Sequence, residues 1–389
     1  MNKQKALHIM KYLEDNHENM IAFLKELVKV ESPSSDKASQ NIILNLLESA
    51  FKELDFFTLK ISGKNTGGYL YARPNIKSKD KPIQLLIGHC DTVWDKNTID
   101  EMPIIHRDNK ITGPGIFDMK AGLTQMIFAL KAIRDLNMDL PFIPIIIINS
   151  DEEIGSREST NVIKHISKIA ERAFILEPPL GVEGKLKTAR KGIGRFTLTV
   201  RGKPAHAGLN PHQGASAIME LSYHIQHLFS LNDFKKGITV NVGMIEGGTS
   251  PNVIAAESRA VVDVRINNNE DAEYITDEIL SLKPIDKEVD LFVDGFIGRP
   301  PMERTVRNQT LWRMAKDLGG LIGLDLKEAS AGGGSDGNTT SQFTATLDGL
   351  GTTGDGAHAM HEYIFSDKLI ERTALLTLLL TADPLKGNN

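Results

Sequence analysis

The chain has 389 residues, of which 41% are hydrophobic and 24% charged, and its formal net charge is −5 at pH 7. This length exceeds what a single hydrophobic core usually serves, so two domains are expected, and the ordinary composition excludes a disordered or fibrous protein. The acidic balance and the lack of a long Lys/Arg run argue against nucleic acid as a partner. Because the N-terminal region is charged throughout and no segment approaches the ~20 apolar residues of a membrane span, we predict a cytoplasmic protein with no membrane partner.

The first part of the chain has the pattern of an α/β fold. Apolar residues recur at helical spacing up to about residue 55, with the turn-rich stretch ESPSSD between two predicted helices. Three apolar runs typical of a parallel sheet follow, IQLLIG, FIPIIIINS and AFILEP, and a helix is predicted from about Ala121 to Leu136. Ligands gather at the carboxyl ends of such strands. Each run ends in acidic or imidazole-bearing residues: His89 and Asp91, then 151–153, then Glu177.

The pattern changes between about residues 190 and 298. Alternating and helical segments succeed one another there in the order β-α-β-β-α-β, which matches the split ferredoxin-like unit. Helical spacing returns after it. We therefore predict one domain formed by residues 1–190 and 299–389, with a ferredoxin-like domain inserted at 191–298.

Several side chains in the first domain are of the types that bind metal ions. The single Cys90 excludes an intramolecular disulfide and a zinc site built only from cysteines, so a metal would need His and carboxylate ligands. Asp91 lies two residues after His89 and therefore on the same face of a strand, where its carboxylate can accept a hydrogen bond from the imidazole N–H. The candidate ligands are His89, Asp118, Glu153, Glu177 and His358.

Each of these motifs, taken singly, has an ordinary structural explanation. A histidine at a strand end is more often a loop residue than a ligand, and the DEE stretch at 151–153 is more often a solvated cluster or a helix N-terminus. GGGSDG lacks the Lys-Ser/Thr of a phosphate loop, and HAMHEY is not an H-E-x-x-H zinc motif. Only their joint occurrence supports a site.

Several motifs occur together in the order found in one known family. GHCDTV, GPGIFDMKAG, NSDEEIGS, ILEP, GKPAHAG, GRP, GGGSD and GAHAMHEY resemble the dinuclear zinc metallopeptidases, which include glutamate carboxypeptidase, peptidase T, succinyl-diaminopimelate desuccinylase, acetylornithine deacetylase and the aminoacylases. The resemblance runs from about residue 20 to 380 and is greatest to the glutamate carboxypeptidase branch. Met119 and Cys90 depart from the family pattern, but neither replaces a ligand. The resemblance implies a catalytic domain with a mixed sheet flanked by helices, and an inserted dimerisation domain.

The resemblance also implies roles for the candidate ligands. Asp118 would bridge two zinc ions, with His89 and Glu177 completing the shell of one ion and Glu153 and His358 that of the other. Glu152 would be the general base, and Asp91 the partner of His89. A water held between two cations loses its proton near neutral pH, and a carboxylate placed beside it can collect that proton. Cobalt or manganese would also suit these ligands.

Substrate contacts follow from the same resemblance. His206 would reach the active site of the partner subunit in a homodimer formed through residues 191–298, and there polarise the scissile carbonyl. Arg299 would bind a substrate carboxylate through two parallel hydrogen bonds. Asn252 and the glycines of GGGSD, among them Gly333 and Gly334, would add further contacts.

The predicted activity is hydrolysis of an amide bond next to a free carboxylate, as in a glutamate carboxypeptidase. A small peptide or an N-acyl amino acid would be the substrate. The alternatives are an N-acyl amino acid deacylase or dipeptidase with the same metal centre, and a metal-free peptide-binding relative that has lost turnover. Because all five candidate ligands and Glu152 are present, the last alternative is disfavoured.

Overall fold

A computed structural model describes residues 2–75 and 81–384. Within these ranges the chain forms eleven α-helices, numbered in chain order: α1 (Lys3–Asp15), α2 (His17–Lys29), α3 (Lys37–Glu53), α4 (Thr98–Glu101), α5 (Ala121–Asp135), α6 (Thr160–Ser167), α7 (Ala217–Ser230), α8 (Asn269–Leu280), α9 (Val306–Gly320), α10 (Asp336–Thr340) and α11 (Ser366–Leu380). The same ranges contain sixteen strands: β1 (Phe56–Ile61), β2 (Tyr69–Pro74), β3 (Ile83–His89), β4 (His106–Arg107), β5 (Lys110–Thr112), β6 (Ile143–Asn149), β7 (Ala170–Ile175), β8 (Leu186–Arg190), β9 (Gly192–Arg201), β10 (Thr239–Gly247), β11 (Glu257–Ile266), β12 (Asp290–Arg299), β13 (Glu328–Ala331), β14 (Ala345–Leu347), β15 (Gly354–Asp355) and β16 (Tyr363–Phe365).

The contacts divide the chain into two compact units. Unit 1 comprises the described residues of three segments, Met1–Thr188, Arg304–Ala331 and Ser335–Asn389. Unit 2 comprises Ala189–Glu303 and the three glycines Gly332–Gly334. Unit 2 extends past residue 298 because the main chains of Arg190 and Met302 exchange two hydrogen bonds, of 2.9 and 3.0 Å.

Unit 1 is built on a six-stranded mixed sheet. The strand order is β1-β2-β6-β3-β7-β14. β1, β2 and β6 pair antiparallel, whereas β3 pairs parallel with both β6 and β7, and β14 pairs parallel with β7. The central strands β3 and β6 are buried on both faces, which explains why their sequences are continuous apolar runs. The predicted mixed α/β architecture is thus confirmed.

Helix α5 lies at the centre of the unit 1 core. Nearly every residue of this helix is buried, and it packs against α11, α2 and α1. A helix that is apolar around most of its circumference must be surrounded by other elements, and α5 meets this requirement. The helix begins three residues after Asp118, so the core fixes the end of the turn that carries this predicted ligand.

A buried arginine joins β7 to the end of α11. The Arg172 guanidinium is fully buried and lies 3.9 Å from the ring centroid of Phe142. Its Nη2 donates to Gln84 Oε1 at 2.8 Å and to the carbonyl oxygens of Leu379 and Ala382 at 3.1 and 3.0 Å. Burial lowers the pKa of Arg172 to about 9. These acceptors offset the cost of removing the cation from water.

Unit 2 has the element order β-α-β-β-α-β that the sequence predicts. Its antiparallel sheet has the strand order β10-β11-β9-β12. Helices α7 and α8 bury one face each, including Leu221, Leu228, Ile275 and Ile279, in the same hydrophobic cluster as the sheet. Both helices have a polar side chain at the N-cap that accepts a main-chain hydrogen bond, which typically contributes ~1 kcal/mol.

In the part of the chain that the structure describes, no helix has the length and apolarity needed to cross a membrane.

Candidate metal centre

His89 and Glu177 meet at one edge of the unit 1 sheet. β3 ends at His89, and Glu177 follows its parallel neighbour β7, so the two strands deliver these side chains to the same edge. The His89 ring is 2% exposed, and its Nε2 lies 3.3 Å from Glu177 Oε1 and 3.2 Å from Asp118 Oδ1. His89, Glu177 and the Oδ1 atom of Asp118 therefore lie close enough together to share one ion.

Glu153 and His358 meet on the other oxygen of Asp118. His358 Nε2 lies 3.2 Å from Glu153 Oε2 and 3.6 Å from Asp118 Oδ2. Asp118 thus faces His89 with Oδ1 and His358 with Oδ2. A carboxylate with one oxygen directed at each of two ligand groups has the geometry of a bridge between two ions.

The donor set suits a divalent metal ion. Ligand atoms of His89, Asp118 and Glu153 lie within 4.8 Å of one another, as do those of His89, Glu152 and Glu177. Imidazole and carboxylate donors in this mixture are typical of zinc sites without thiolates. Oε1 of Glu153 is buried and has no hydrogen-bond partner among the described residues, which leaves it available to a cation. The residues present therefore fit a metal.

The protonation behaviour of the cluster reflects its crowded carboxylates. Burial alone would lower the pKa of His89, but hydrogen bonds to Asp118, Asp91 and Glu177 raise it well above its ordinary value. The hydrogen bond to Glu153 raises the pKa of His358 to about 9. Burial also raises the pKa of Glu153 itself. The two histidines hold protons tightly because the surrounding carboxylates stabilise positive charge, whereas Glu153 does so because burial disfavours its charged form.

Asp91 contacts His89 and also the turn that carries Glu152 and Glu153. Nδ1 of His89 lies 3.0 Å from the main-chain oxygen of Asp91 and 3.4 Å from its Oδ1, so the main-chain oxygen is the nearer acceptor. The Asp91 carboxylate accepts hydrogen bonds from the main-chain N–H groups of Glu152 and Glu153, at 3.2 Å each, and from Ser34 Oγ at 2.8 Å. One buried carboxylate therefore supports the turn that carries Glu152 and Glu153.

Glu362 contacts the turn that carries Asp118, a role that the sequence motifs did not predict. Its carboxylate is fully buried and accepts main-chain N–H groups from Gly115 and Phe117 at 2.8 Å and from Asp118 at 3.0 Å. It also accepts from Trp94 Nε1 at 2.8 Å. Burial raises the pKa of Glu362 to about 7, against the lowering effect of these donors. Glu362 fixes the non-helical turn that presents Asp118.

The GGGSD motif divides between the two units. Asp336 is buried in unit 1, where it accepts from Ser156 Oγ at 2.5 Å and from Asn149 Nδ2 at 2.8 Å. It therefore supports the turn that follows Glu153. The carbonyl oxygens of Gly333 and Gly334 accept from Arg190 Nη1 at 3.0 and 3.2 Å.

The other predicted substrate residues lie in unit 2. His206 is exposed, and its Nδ1 accepts the main-chain N–H groups of Gly208 and Leu209 at 3.1 and 3.2 Å. In the neutral ring, Nε2 must then carry the proton. The main-chain oxygen of Asn252 accepts from Ala207 N–H at 3.0 Å, which brings these two predicted segments together. Arg299 ends β12, just after an irregularity in its pairing with β9.

Comparison with known proteins identifies the class of protein. Residues 188–282 match the model of a peptidase dimerisation domain. Carboxypeptidase G2 of Pseudomonas sp. (strain RS-16) is 28% identical over 355 residues, which are 89% of this chain and 84% of that protein. Succinyl-diaminopimelate desuccinylase of Pseudomonas syringae pv. syringae is 26% identical over 311 residues, covering 75% of this chain and 79% of the relative. These relatives, with the site, define a hydrolase of the metallopeptidase and amidohydrolase class.

Solved structures share the fold. Aminopeptidase PepT from Bacillus cereus has a TM-score of 0.79 at 22% identity, covering 94% of this chain and 98% of that one. The Bacillus subtilis YXEP protein, described as a dinuclear metal binding peptidase from the M20 family, has a TM-score of 0.69 at 16% identity, covering 95% and 98%. The matched dimerisation domain and the similarity to carboxypeptidase G2 and the desuccinylase confirm the resemblance found in the sequence motifs.

Proposed function

We propose that this protein is a dinuclear zinc hydrolase that cleaves an amide bond next to a free carboxylate, as a glutamate carboxypeptidase does. The observation that carries the proposal is the division of ligands about Asp118, with His89 on Oδ1 and His358 on Oδ2. His89 and Glu177 would hold one ion, and Glu153 and His358 the other. Two such ions, when bound, supply Lewis acidity to the substrate carbonyl and lower the pKa of water.

Glu152 is proposed as the proton carrier. Its carboxylate lies within 4.8 Å of ligand atoms of His89 and Glu177, close enough to serve a water molecule at the cluster. It would take the proton from the attacking water and return it to the leaving nitrogen, a contribution of typically ~10²- to 10⁴-fold in rate. Asp91 would keep Glu152 and Glu153 in their different orientations by holding both of their N–H groups.

Unit 2 is proposed to supply substrate contacts and the dimer interface. His206 suits polarisation of the scissile carbonyl, because its Nδ1 accepts main-chain hydrogen bonds and its Nε2–H is therefore a donor. We propose that it acts on the partner subunit's site in a homodimer formed through residues 191–298. Donors of this kind are worth ~3 kcal/mol in the transition state. Arg299 would bind the substrate carboxylate, and Asn252, Gly333 and Gly334 would add polar contacts.

A substrate screen tests this function. The purified protein is loaded with zinc and given dipeptides and N-acyl amino acids, each with a free C-terminal carboxylate or with that group amidated. We expect hydrolysis only of the free acids, because an amide cannot form the paired hydrogen bonds that a guanidinium makes with a carboxylate. The Glu152→Gln variant serves as the control for contaminating activity. Equal hydrolysis of free and amidated compounds would overturn the carboxylate requirement.

The same screen separates the alternative enzymes. A deacylase would cleave N-acyl amino acids and spare dipeptides, and a dipeptidase would do the reverse. The desuccinylase among the relatives supports including succinylated amino acids in the screen. A purified protein that holds no zinc and cleaves none of these compounds would support the metal-free peptide-binding alternative.

A further inference from the structure

Unit 1 contains a cavity of about 260 Å³ that the proposed hydrolase site does not use. Its lining comes from three parts of unit 1: the loop after β7, the segment after α9, and α11 together with Thr353, which precedes this helix. None of the proposed metal ligands lines it. This volume is below that of a typical drug-sized pocket and suits a small metabolite.

A buried arginine with an incomplete set of partners lines this cavity. Arg372 is 4% exposed, and its Nη1 is buried without a hydrogen-bond partner among the described residues. Nη2 donates to the carbonyl oxygen of Gly184. A buried donor without an acceptor is unfavourable, and for a charged group the penalty is larger. A carboxylate is the acceptor that satisfies a guanidinium best.

Thr353 offers a hydroxyl at the same place. A Cβ at Gly184 would lie 2.7 Å from Thr353 Oγ1 and would collide with Nη2 of Arg372, so both groups pack against the same point of the loop. Gly184 also has a φ of 68°, where a side chain is unfavourable. Glycine therefore permits the close approach that holds the guanidinium beside the hydroxyl.

The rest of the lining is apolar and acidic. Ile322 and Leu324 are half-buried, whereas Glu183 and Asp325 are exposed. The remaining charged residues of the lining, Lys368 and Glu371, form an ion pair of 2.8 Å. A simple anion would be repelled by the acidic groups, but a zwitterion would match both the buried cation and the exposed anions.

We propose that this cavity binds a free α-amino acid with an aliphatic side chain. Its carboxylate accepts hydrogen bonds from Arg372 Nη1 and the Thr353 hydroxyl, and its ammonium group lies near Glu183 and Asp325. The aliphatic side chain packs against Ile322 and Leu324. The proposal is independent of the hydrolase assignment, because no residue of the metal centre takes part.

Calorimetric titration with three related compounds tests the chemistry. L-leucine carries both charges, isocaproate lacks the ammonium group, and isoamylamine lacks the carboxylate. We expect leucine to bind, with isocaproate and isoamylamine each weaker by about tenfold to a hundredfold, the range for a lost hydrogen bond to a charged group. The absence of leucine binding, or equal binding of all three compounds, would overturn the proposal.

Variants locate the binding. Arg372→Lys should weaken leucine binding by about tenfold or more, because an ammonium group cannot reproduce the planar fork of a guanidinium. Leu324→Trp fills the cavity from a half-buried position and should abolish binding while peptide hydrolysis stays unchanged. Glu152→Gln is the control for binding at the metal centre and should bind leucine normally. Binding that survives Leu324→Trp would place leucine elsewhere and refute the proposed site, even if Arg372→Lys failed to fold.

Discussion

Glu362 accepts the main-chain N–H of Asp118 through Oε1 at 3.0 Å, and so connects the end of the HAMHEY motif to the predicted bridging ligand. The same carboxylate holds the N–H groups of Gly115 and Phe117. Three donors of one turn thus share one acceptor group.

Glu362→Gln should loosen the metal centre. The amide nitrogen cannot accept, so at least one main-chain N–H of the turn loses its partner, at a typical cost of ~1–3 kcal/mol. We expect zinc affinity to fall by about tenfold or more, as for other residues that orient a ligand. Metal titration followed by mass analysis measures this. Glu48→Gln, on the surface of α3, is the control and should leave zinc affinity unchanged; equal effects of the two changes would refute the role of Glu362.

Asp91→Asn should lower turnover with much of the zinc retained. Asparagine keeps one side-chain oxygen, so it cannot accept from Glu152, Glu153 and Ser34 as the carboxylate does. The expected loss in kcat is about 10- to 100-fold. Ser34→Ala removes one donor and leaves the carboxylate, so its effect should be much smaller. If Asp91→Asn retained full activity, Asp91 would have no part in the mechanism.

Glu152 and Glu153 should respond differently to the same substitution. Glu152→Gln should bind two zinc ions and lose kcat by ~10²-fold or more, because an amide cannot carry the proton. Glu153→Gln should weaken one of the two zinc sites, since Glu153 is proposed as a ligand. Zinc stoichiometry and single-turnover rates on both variants decide the matter. The reverse pattern would mean that the two roles are exchanged.

Mixing two inactive variants should restore activity if His206 acts across subunits. One protein carries His206→Ala and the other Glu152→Gln, and subunit exchange makes about half the molecules heterodimers by random pairing in a two-fold dimer. Each heterodimer has one intact site, which combines Glu152 of one subunit with His206 of the other. We therefore expect roughly a quarter of wild-type activity.

Controls for this experiment are each variant alone and a mixture in which exchange is prevented by covalent cross-linking. Exchange itself is followed by the mass of tagged heterodimers. Persistent inactivity despite complete exchange, or full activity of a monomer, would show that His206 does not serve a neighbouring subunit.

The convergence of His89 and Glu177 could be predicted because His89 ends one strand of a parallel pair and Glu177 follows the other, and parallel strands deliver their ends to one edge. Asp118 and His358 lie in turns, where no periodic pattern fixes the side-chain direction, so their place rested on family resemblance. Apart from Trp94 Nε1, the donors to Glu362 given above are main-chain N–H groups. Side-chain patterns do not encode such contacts, and its role was therefore missed.

Other details were hidden for different reasons. The sequence does not distinguish the two acceptors of Asp91, and the structure places its main-chain oxygen nearer to His89. The burial of Arg372, by contrast, could be predicted from the sequence. This residue lies three residues after Leu369 and four before Leu376, on the buried stripe of α11. A charged residue at that position indicates a buried polar contact.

The partners of Arg172 have a consequence for biosynthesis. Its acceptors at Leu379 and Ala382 leave the ribosome about two hundred residues after Arg172 itself, so until then the guanidinium has its Gln84 acceptor but lacks these two. The main segment of unit 2, Ala189–Glu303, is continuous and is synthesised before the remaining segments of unit 1 emerge. Unit 1 therefore remains incomplete while the main segment of unit 2 is synthesised. Its core can form completely only after α11 has left the ribosome.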